Sequence, residues 1–366
     1  MNYSKQLRYT YYKTEEADFE TMLEDVLNQL PEEGITLRLV CWCAFSNNEE
    51  YERCLSLYRR KVRERFMDRV PGISLVAQPP LGCGMILEVH DYVATGDDVV
   101  FYKRFDKHPY VLIENNSGRF LFASGFHGSG LLPTAMHQAE AALQQLSALI
   151  DSEGFTPSDI TRQWNYIERI TGKDGEDQRY QSFNNARADY YAGDIWTNGY
   201  PAATGVGTAL GGVCIDLDAA MPTDPSCVVI PIDNRLQVAA HAYSDNVIYA
   251  SAHKKKSPKF ERAKMVELAG SKLVYISGTA AIRGEESLEG IGLVKQLEVT
   301  LENIAQLTQG LPLRHIRVYL KNPADYEEAE RILSDRLSDV TMAFFQADVC
   351  RDALLIEIDG VAKSSL

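Results

Sequence analysis

Apolar residues recur with helical spacing in two stretches near the N-terminus. The first stripe, within residues 15–30, consists of Phe19, Met22, Leu23, Val26, Leu27 and Leu30. Thr14 precedes it and is placed to cap a helix there. The second stripe, within residues 51–70, consists of Tyr51, Leu55, Tyr58, Val62 and Phe66. Residues 37–43 between them form a short apolar run, so this region is predicted as helix, strand and helix.

The most informative pattern is an internal repeat. The order strand, Ser-Gly turn, helix and strand occurs at residues 119–128, 138–150 and 159–167, and again at residues 272–281, 296–308 and 314–322. Four helix positions match at a constant offset of 158 residues, namely Gln138 with Gln296, Glu140 with Glu298, Leu143 with Leu301 and Leu149 with Leu307. Four matches in one register are not expected by chance, so the chain is predicted to contain a duplicated module.

Each module is predicted to be of the α+β class, an open mixed sheet covered by amphipathic helices on one side. The uncovered face of such a sheet has to be buried. Packing sheet against sheet would bury it and would make the cleft between modules a natural ligand site. The expected division places an N-terminal elaboration and the first module in residues 1–158. The C-terminal catalytic module, with an insertion rich in Arg and Tyr, occupies residues 159–366.

The charge balance narrows the choice of partners. The chain has 37 Lys and Arg against 51 Asp and Glu, a formal net charge of −14. Neither nucleic acid nor an anionic membrane is therefore expected as a partner, and an anionic substrate would need a few focused arginines. No run approaches the ~18 apolar residues of a membrane span, and the start lacks the apolar segment of a signal peptide. Seven scattered cysteines fit a reducing compartment, so a cytoplasmic location is expected.

One carboxylate interrupts an apolar strand near the C-terminus. Residues 353–360 read Ala-Leu-Leu-Ile-Glu-Ile-Asp-Gly, which is typical of a strand ended by glycine. Glu357 either faces solvent by simple alternation or points into an apolar cleft. In a cleft, desolvation would raise its pKa and let it hold a proton near neutral pH, as a general acid requires. Both orientations stay open from the sequence.

Aromatic and arginine residues are concentrated between residues 162 and 200. They are Arg162, Trp164, Tyr166, Arg169, Arg179, Tyr180, Phe183, Arg187, Tyr190, Tyr191, Trp196 and Tyr200. Such a set suits a small cyclic carboxylate, because Arg binds a carboxylate through two donors while aromatic rings pack against the carbocycle. The same composition fits core aromatics with surface arginines, and both interpretations stay open.

Several familiar site motifs are not met. The Gly-rich run at residues 204–212 has the spacing GxGxxxG instead of the GxGxxG of dinucleotide-binding loops, which favours a close backbone approach. Cys41 and Cys43 form a CxC pair with no His nearby, which favours strand core over a metal site. The histidines show no HExxH spacing, and no serine lies in a GxSxG turn. No cofactor and no metal is therefore expected.

Four segments together resemble a known family. They are residues 162–167 (RQWNYI), 179–187 (RYQSFNNAR), 201–205 (PAATG) and 350–357 (CRDALLIE). These segments are similar to the FkbO-like chorismatases, and the resemblance covers roughly residues 105–366. The repeats are similar to RidA-type (YjgF) modules, with the Ser-Gly turn and the Gln-x-x-x-x-Leu-x-Asn helix from Gln296 to Asn303. The resemblance implies tandem RidA/YjgF-like modules of the chorismate-mutase-like kind.

The resemblance also implies a function. Chorismatases cleave the enolpyruvyl ether of chorismate without a cofactor and release pyruvate. By this resemblance Glu357 would protonate the enolpyruvyl methylene, and Arg162 and Arg187 would neutralise the two carboxylates of the substrate. The other positions that the match implies for substrate binding are Tyr166, Tyr180, Gly205, Ala263, Cys350 and Arg351.

Two markers of the product disagree. Cys350 lies seven residues before Glu357. In the family, a Cys at this position is found in members that form a hydroxybenzoate. Ala263 stands where such members more often carry Gly, and its added methyl group would change the pose of the substrate. The Cys marker favours 3- or 4-hydroxybenzoate with pyruvate. The alternative is hydrolysis to a dihydroxycyclohexadiene carboxylate with pyruvate.

Two further functions stay open. A RidA-like imine deaminase depends on an Arg on the strand before the acidic one, and no Arg is found around Met342, which occupies that place. A non-catalytic small-ligand-binding protein would fit the duplicated fold, although the retention of Glu357 speaks against it. RidA proteins are usually trimers with clefts between subunits. A tandem duplication is therefore expected to act as a monomer or a small homo-oligomer.

Overall fold

A computed structural model describes residues 3–193, 196–244, 256–268 and 270–364. These residues form three α+β units, each built on its own main sheet. The N-terminal unit comprises α1 (Tyr3–Gln6), β1 (Leu7–Thr14), α2 (Phe19–Asn28), β2 (Ile35–Cys43), α3 (Asn48–Phe66), β3 (Gly72–Ala77) and β4 (Met85–Tyr92). Its sheet has the strand order β1-β4-β2-β3.

The middle unit contains the first of the two sequence repeats. Its elements are β5 (Val99–Phe105), β6 (His108–Asn115), β7 (Gly118–Gly128), α4 (Ala135–Ser152), β8 (Ile160–Glu168), the short hairpin β9 (Lys173–Asp174) and β10 (Asp177–Gln178), α5 (Arg179–Tyr190), β11 (Ala202–Thr208) and β12 (Val213–Pro222). The main sheet has the order β11-β8-β12-β7-β6-β5.

The C-terminal unit contains the second repeat. Its elements are β13 (Val228–Ile232), β14 (Ala263–Leu268), β15 (Ser271–Ala280), the short hairpin β16 (Ile282–Arg283) and β17 (Glu286–Ser287), α6 (Gly292–Leu307), β18 (Leu313–Leu320), α7 (Tyr326–Arg336), β19 (Thr341–Gln346) and β20 (Ile356–Lys363). The main sheet has the order β13-β14-β15-β20-β18-β19.

The three main sheets share one strand arrangement. In the N-terminal unit, β4 lies antiparallel between β1 and β2, and β2 pairs in parallel with β3. The same arrangement joins β7, β12, β8 and β11 in the middle unit, and β15, β20, β18 and β19 in the C-terminal unit. The predicted α+β fold with mixed sheets is confirmed, with a third unit of the same topology. Sequence matching finds two copies only, because a topology depends on the hydrophobic pattern and not on particular residues.

The domain boundary that was predicted between residues 158 and 159 does not separate two units of the structure. Strands β7 and β8 lie on opposite sides of that position in the chain, and both pair with β12 in the sheet of the middle unit. Position 158/159 therefore lies within one sheet. The connections between units fall near residues 93–98 and 223–227, between the last strand of one unit and the first strand of the next.

The sheets bury their two faces in different ways. One face of each sheet packs under its own helices, in separate cores represented by Leu55, Leu146 and Ile304. The other faces pack against one another across unit boundaries. Trp42 of the N-terminal unit stacks on Phe345 of the C-terminal unit with ring centroids 3.9 Å apart. The expected packing of sheet against sheet is thus present, and it involves all three units.

Two helices differ from prediction at their ends. Helix α2 begins at Phe19, and Asp18 caps it by accepting a 3.1 Å hydrogen bond from the Thr21 amide. The prediction of Thr14 as the cap is wrong, because Thr14 ends β1. Helix α3 ends at Phe66, since Met67 has a φ of 54°. Among the described residues, none of the helices combines the length and apolar character needed to cross a bilayer.

Candidate active site

Three buried arginines occupy equivalent places in the three units. Arg38 on β2, Arg162 on β8 and Arg317 on β18 are each at most 1% exposed. Their guanidinium groups surround a single indole, and each lies between 4.6 and 5.1 Å from the ring centroid of Trp164. The three sheets therefore meet around Trp164, and the arginines line the boundaries between units.

Each of these arginines pairs with a carboxylate of another unit. The nitrogen to oxygen distances are 2.8 Å for Arg38 and Asp218, 3.3 Å for Arg162 and Asp359, and 2.7 Å for Arg317 and Glu88. The N-terminal unit is thus joined to the middle unit, the middle to the C-terminal, and the C-terminal back to the N-terminal. These buried pairs close the three units into a ring.

The donors of Arg162 are used differently from those of the other two arginines. All nitrogens of Arg38 and Arg317 have hydrogen-bond partners. Arg162 uses only Nη2, which donates to Thr204 Oγ1 at 2.6 Å and lies near Asp359. Its Nε and Nη1 are buried with no hydrogen-bond partner among the described residues. Buried donors without a partner cost free energy, so this guanidinium is arranged to receive a further acceptor.

Glu357 lies at the same boundary, on β20. Its side chain is 4% exposed, so of the two orientations left open by the sequence the structure has the buried one. A Cβ at Gly278 would overlap Glu357 Oε1, and it would lie 3.1 Å from Thr204 Cγ2. The absent side chain at Gly278 therefore makes the space for this carboxyl group. Outside the backbone ladder, none of the described residues forms a hydrogen bond or an ion pair with the Glu357 carboxyl group.

The environment of Glu357 favours its protonated form. Burial, followed by the negative charge of Asp359, raises its pKa from the ordinary 4.5 to about 8, against the opposing effect of Arg262 and Arg162. A carboxylic acid with such a pKa holds its proton at neutral pH and can donate it to a bound ligand.

Helix α5 contributes Tyr180 and Arg187 to this site. Arg187 is 2% exposed, and its Nη2 donates to Asn184 Oδ1 at 2.8 Å while Nε has no partner among the described residues. Its guanidinium lies 5.1 Å from the ring centroid of Phe183. Tyr180 is partly buried, and Gly205 lies against its ring, since a Cβ there would be 3.1 Å from Tyr180 Cε2. Burial raises the pKa of the Tyr180 phenol most, followed by the charge of Cys350, while Arg187 lowers it. The charge of Glu357 raises it further, so Tyr180 and Glu357 lie near each other.

Cys350 and Arg351 precede β20. Burial, and then the charge of Glu357, raises the pKa of the Cys350 thiol to about 12, so the thiol is neutral at physiological pH. Arg351 Nη1 donates to the Glu285 carbonyl at 2.7 Å, and its guanidinium lies 5.1 Å from the ring centroid of Tyr243. Arg351 therefore holds the segment next to Cys350 against Glu285 and Tyr243.

Sequence reasoning missed Arg262. This residue is 3% exposed, its charge acts on both Glu357 and Cys350, and Nη2 donates to the Val238 carbonyl at 2.8 Å and to the Tyr243 hydroxyl. The only indication in the sequence was its position next to Ala263. Nothing in the order of the chain shows that the segment before β14 lies near the first residues of β20.

Two predicted positions lie elsewhere in the structure. The Tyr166 hydroxyl accepts a 3.0 Å hydrogen bond from Arg317 Nη1, so it belongs to the centre of the three-unit core. Ala263 is fully buried in the helix-side core of the C-terminal unit, in the same cluster as Leu297. Its methyl group therefore packs on the face of the sheet away from Glu357.

One cluster of metal-ligating residue types lies at another boundary. The ligand atoms of Glu88, His90 and His315 are within 4.8 Å of one another. Both Glu88 oxygens already accept hydrogen bonds from Arg317, at 2.7 and 3.0 Å. A cation would have to displace this guanidinium, so the donor set fits a hydrogen-bonded ion pair better than a metal centre.

This geometry defines a class of protein: an internally repeated α+β protein with a buried acid and with guanidinium donors that have no hydrogen-bond partner among the described residues. A family model described as chorismatase FkbO/Hyg5-like, N-terminal, matches residues 111–218. A 3-hydroxybenzoate synthase of Streptomyces hygroscopicus is 28% identical over 270 residues, covering 67% of this chain and 74% of the relative. A chorismatase of Streptomyces rapamycinicus is 31% identical over 232 residues, covering 58% of this chain and 66% of the relative.

A crystal structure of a chorismatase has the same fold. It superposes with a TM-score of 0.68 and covers 97% of this chain and 98% of its own, at 21% sequence identity. The chain is thus similar to the FkbO/Hyg5-like chorismatases in sequence over residues 111–218, and to a chorismatase in its fold.

Proposed function

We propose that the protein is a chorismatase that cleaves the enolpyruvyl ether of chorismate to pyruvate and a hydroxybenzoate, without a cofactor. The observation that carries this proposal is Glu357, a buried carboxyl group with no hydrogen-bond partner among the described residues and a pKa of about 8. The names of the relatives, chorismatase and 3-hydroxybenzoate synthase, support the choice of substrate.

The chemistry begins with a proton transfer. The Glu357 carboxylic acid donates its proton to the enolpyruvyl methylene carbon, which leaves an oxocarbenium ion and a carboxylate on Glu357. In the hydroxybenzoate route the bond between the ring carbon and the ether oxygen then breaks, pyruvate leaves with this oxygen, and the ring loses a proton to the Glu357 carboxylate as it becomes aromatic. In the hydrolytic route water adds to the cation and returns a proton to Glu357. The hemiketal then splits at its bond to the ring oxygen, which takes the hemiketal proton and stays on the ring as a hydroxyl group. The hydroxybenzoate and pyruvate together contain the atoms of chorismate, so this outcome needs no net water, whereas the dihydroxycyclohexadiene carboxylate needs one.

Two arginines would hold the two carboxylates of chorismate. Arg162 and Arg187 are both buried, and both have donors without a partner among the described residues. Burial lowers the pKa of both guanidinium groups from its ordinary value, and Arg remains charged in proteins. A substrate carboxylate would satisfy these donors. Tyr180, with Gly205 against its ring, would form the wall that packs on the carbocycle.

The choice of a hydroxybenzoate rests on Cys350. Its thiol is neutral and its charge environment includes Glu357, so it offers a weakly polar surface where a water would otherwise be held. Ala263 lies on the other face of its sheet, which removes the reason to expect a changed pose of the substrate. Hydrolysis to the dihydroxycyclohexadiene carboxylate is the second candidate, since the Tyr180 and Cys350 side chains are only partly buried and so remain in contact with solvent.

The site is built within one chain, from the middle and C-terminal units, so we also propose that a monomer or a small homo-oligomer is sufficient for activity. All seven cysteines are free thiols, which supports a reducing compartment such as the cytoplasm.

The test is direct incubation of the purified protein with chorismate. Pyruvate release is followed enzymatically, and the aromatic and diene products are resolved by chromatography beside a Glu357→Gln variant. Stoichiometric pyruvate with 3- or 4-hydroxybenzoate, lost in the variant, is the expected result and assigns the ring position. A dihydroxycyclohexadiene carboxylate would overturn the product assignment, and the absence of pyruvate would overturn the activity.

A further inference from the structure

Asp359 lies two residues after Glu357 on β20, so the two side chains project from the same face of the sheet. It is 2% exposed. Its Oδ2 lies 3.3 Å from Arg162 Nη2 and accepts a 3.0 Å hydrogen bond from the Tyr319 hydroxyl. The proposed reaction has no step that uses this carboxylate, yet it is fixed by two partners beside the proton donor.

We propose that Asp359 is a positioning residue of this site: held by Arg162 and Tyr319, it fixes a negative charge beside Glu357. This inference rests on the proposed function and concerns how the acid is kept ready. Asp359 does not touch the reacting atoms. It acts through Glu357 and through the arginine that the two carboxyl groups share as a neighbour.

The charges around Glu357 show why this matters. The titratable groups that act on it or respond to it are Asp359 on its own strand, Arg162 on β8, Arg262 before β14, Cys350 before β20 and Tyr180 on α5. The pKa values of Cys350 and Tyr180 are raised, so both are neutral at physiological pH. Two positive charges therefore favour ionised Glu357, and Asp359 opposes them. If the charge of Asp359 were removed, burial alone would have to keep the proton on Glu357.

Asp218 is a matched residue of the middle unit, and the residue two positions before it is Asp216 instead of Glu357. It occupies the same ladder position in the middle unit, pairs with Arg38 at 2.8 Å, and accepts a 2.9 Å hydrogen bond from the Tyr275 hydroxyl. Both aspartates therefore contribute the same kind of buried ion pair to the joining of two units. If the role of both residues were purely structural, their substitutions would have equal effects on the titration of Glu357. Only Asp359 lies two residues from Glu357, so a positioning role predicts an effect from Asp359 alone.

The experiment compares Asp359→Asn with Asp218→Asn. The pH dependence of kcat/KM for chorismate is measured for both, together with an infrared titration of the protonated carboxyl band of Glu357, which is assigned by its loss in Glu357→Gln. We expect Asp359→Asn to lower the alkaline limb and the infrared midpoint by about one pH unit or more. Asp218→Asn should leave both at the wild-type pH, while both variants lose thermal stability. Unchanged midpoints in Asp359→Asn, or equal shifts in both variants, would overturn the proposal.

A second pair of variants covers the case in which Asp359→Asn does not fold. Arg162→Gln is compared with Arg162→Gln/Asp359→Asn, in which both buried charges are removed together. The infrared midpoint of Glu357 should be lower in the double variant, and equal midpoints would contradict the role of Asp359. The infrared titration needs no substrate, so it tests Asp359 even if the wild-type protein releases no pyruvate, a result that would defeat the proposed function alone.

Discussion

Two boundaries between units have equivalent residues but differ in how their carboxyl groups are bound. One joins the N-terminal and middle units, and the other joins the middle and C-terminal units. Asp216 and Glu357 occupy the same ladder position, opposite Trp164 and Tyr319 respectively. Asp216 Oδ1 accepts hydrogen bonds from the Ser74 hydroxyl and from the Gly125 amide at 2.8 Å. Glu357 has no such partners among the described residues. One carboxyl group is held by the interface, and the other is left available to a ligand.

The direction of one hydroxyl group accounts for much of this difference. Ser74 on β3 and Thr204 on β11 also occupy equivalent ladder positions, opposite Val40 and Trp164. Ser74 donates to the carboxylate of the neighbouring unit. The Thr204 hydroxyl instead accepts a hydrogen bond from Arg162 of its own unit. The same fold thus yields a structural contact at one boundary and an unsatisfied acid at the other, through a change of hydrogen-bond partner.

The largest expected effect comes from the two carboxyl groups themselves. Glu357→Gln should lower kcat for pyruvate release by about 10²- to 10⁴-fold, because the amide cannot donate the proton. Asp216→Asn should retain wild-type kcat and lower only the melting temperature, because its contacts are structural. Steady-state kinetics and thermal unfolding of both variants measure this. Equal losses of activity would show that the two boundaries are not functionally distinct.

The next effect concerns the two Ser-Gly turns. Gly278→Ala would place a methyl group against Glu357 Oε1 and should reduce kcat/KM by about 10²-fold through displacement of the acid, with a small change in melting temperature. Gly125→Ala would press a methyl group against the Ile73 carbonyl at a residue with a φ of 72°, and should mainly destabilise the fold. Full activity in Gly278→Ala would contradict the close approach of glycine and acid.

The third prediction concerns pH. Because protonated Glu357 is the active form and its pKa is about 8, kcat/KM should be constant at neutral pH and fall as the pH rises through about 8. Stability should follow the same proton: above the ordinary pKa of 4.5 only the folded state binds it, so wild-type stability should decline relative to Glu357→Gln up to about pH 8. An alkaline limb that Asp216→Asn moves as well would weaken the comparison.

The smallest effect is on the product. Cys350→Ala removes the neutral thiol beside Glu357 and leaves room for a water, so the share of the dihydroxycyclohexadiene carboxylate should rise, with less than about a tenfold change in total pyruvate release. Chromatography of the products measures this share. An unchanged product ratio would remove Cys350 as the feature that separates the two outcomes.

The local elements of the fold were largely predictable. The apolar stripes located helices α2 and α3, the repeat located β7, α4 and β8 with their counterparts, and the apolar run before Gly360 located β20. The start of α2 was not predicted correctly, because Thr14 is the last residue of β1 and Asp18 caps the helix instead. The N-terminal unit was not predicted as a third copy, because it shares the strand order of the other two but not the helix residues that match between the two repeats.

For the site, the sequence by itself determined that a glutamate stands in an apolar strand and that arginines and aromatics cluster between residues 162 and 200. Tertiary structure decided that Glu357 is buried without a partner, that Arg162 faces it while Tyr166 does not, and that Arg262 joins the site. The physical reason is that periodicity assigns a side chain to a face of its own element. Whether that face meets water, a hydroxyl or an unpaired acid depends on which unit packs against it.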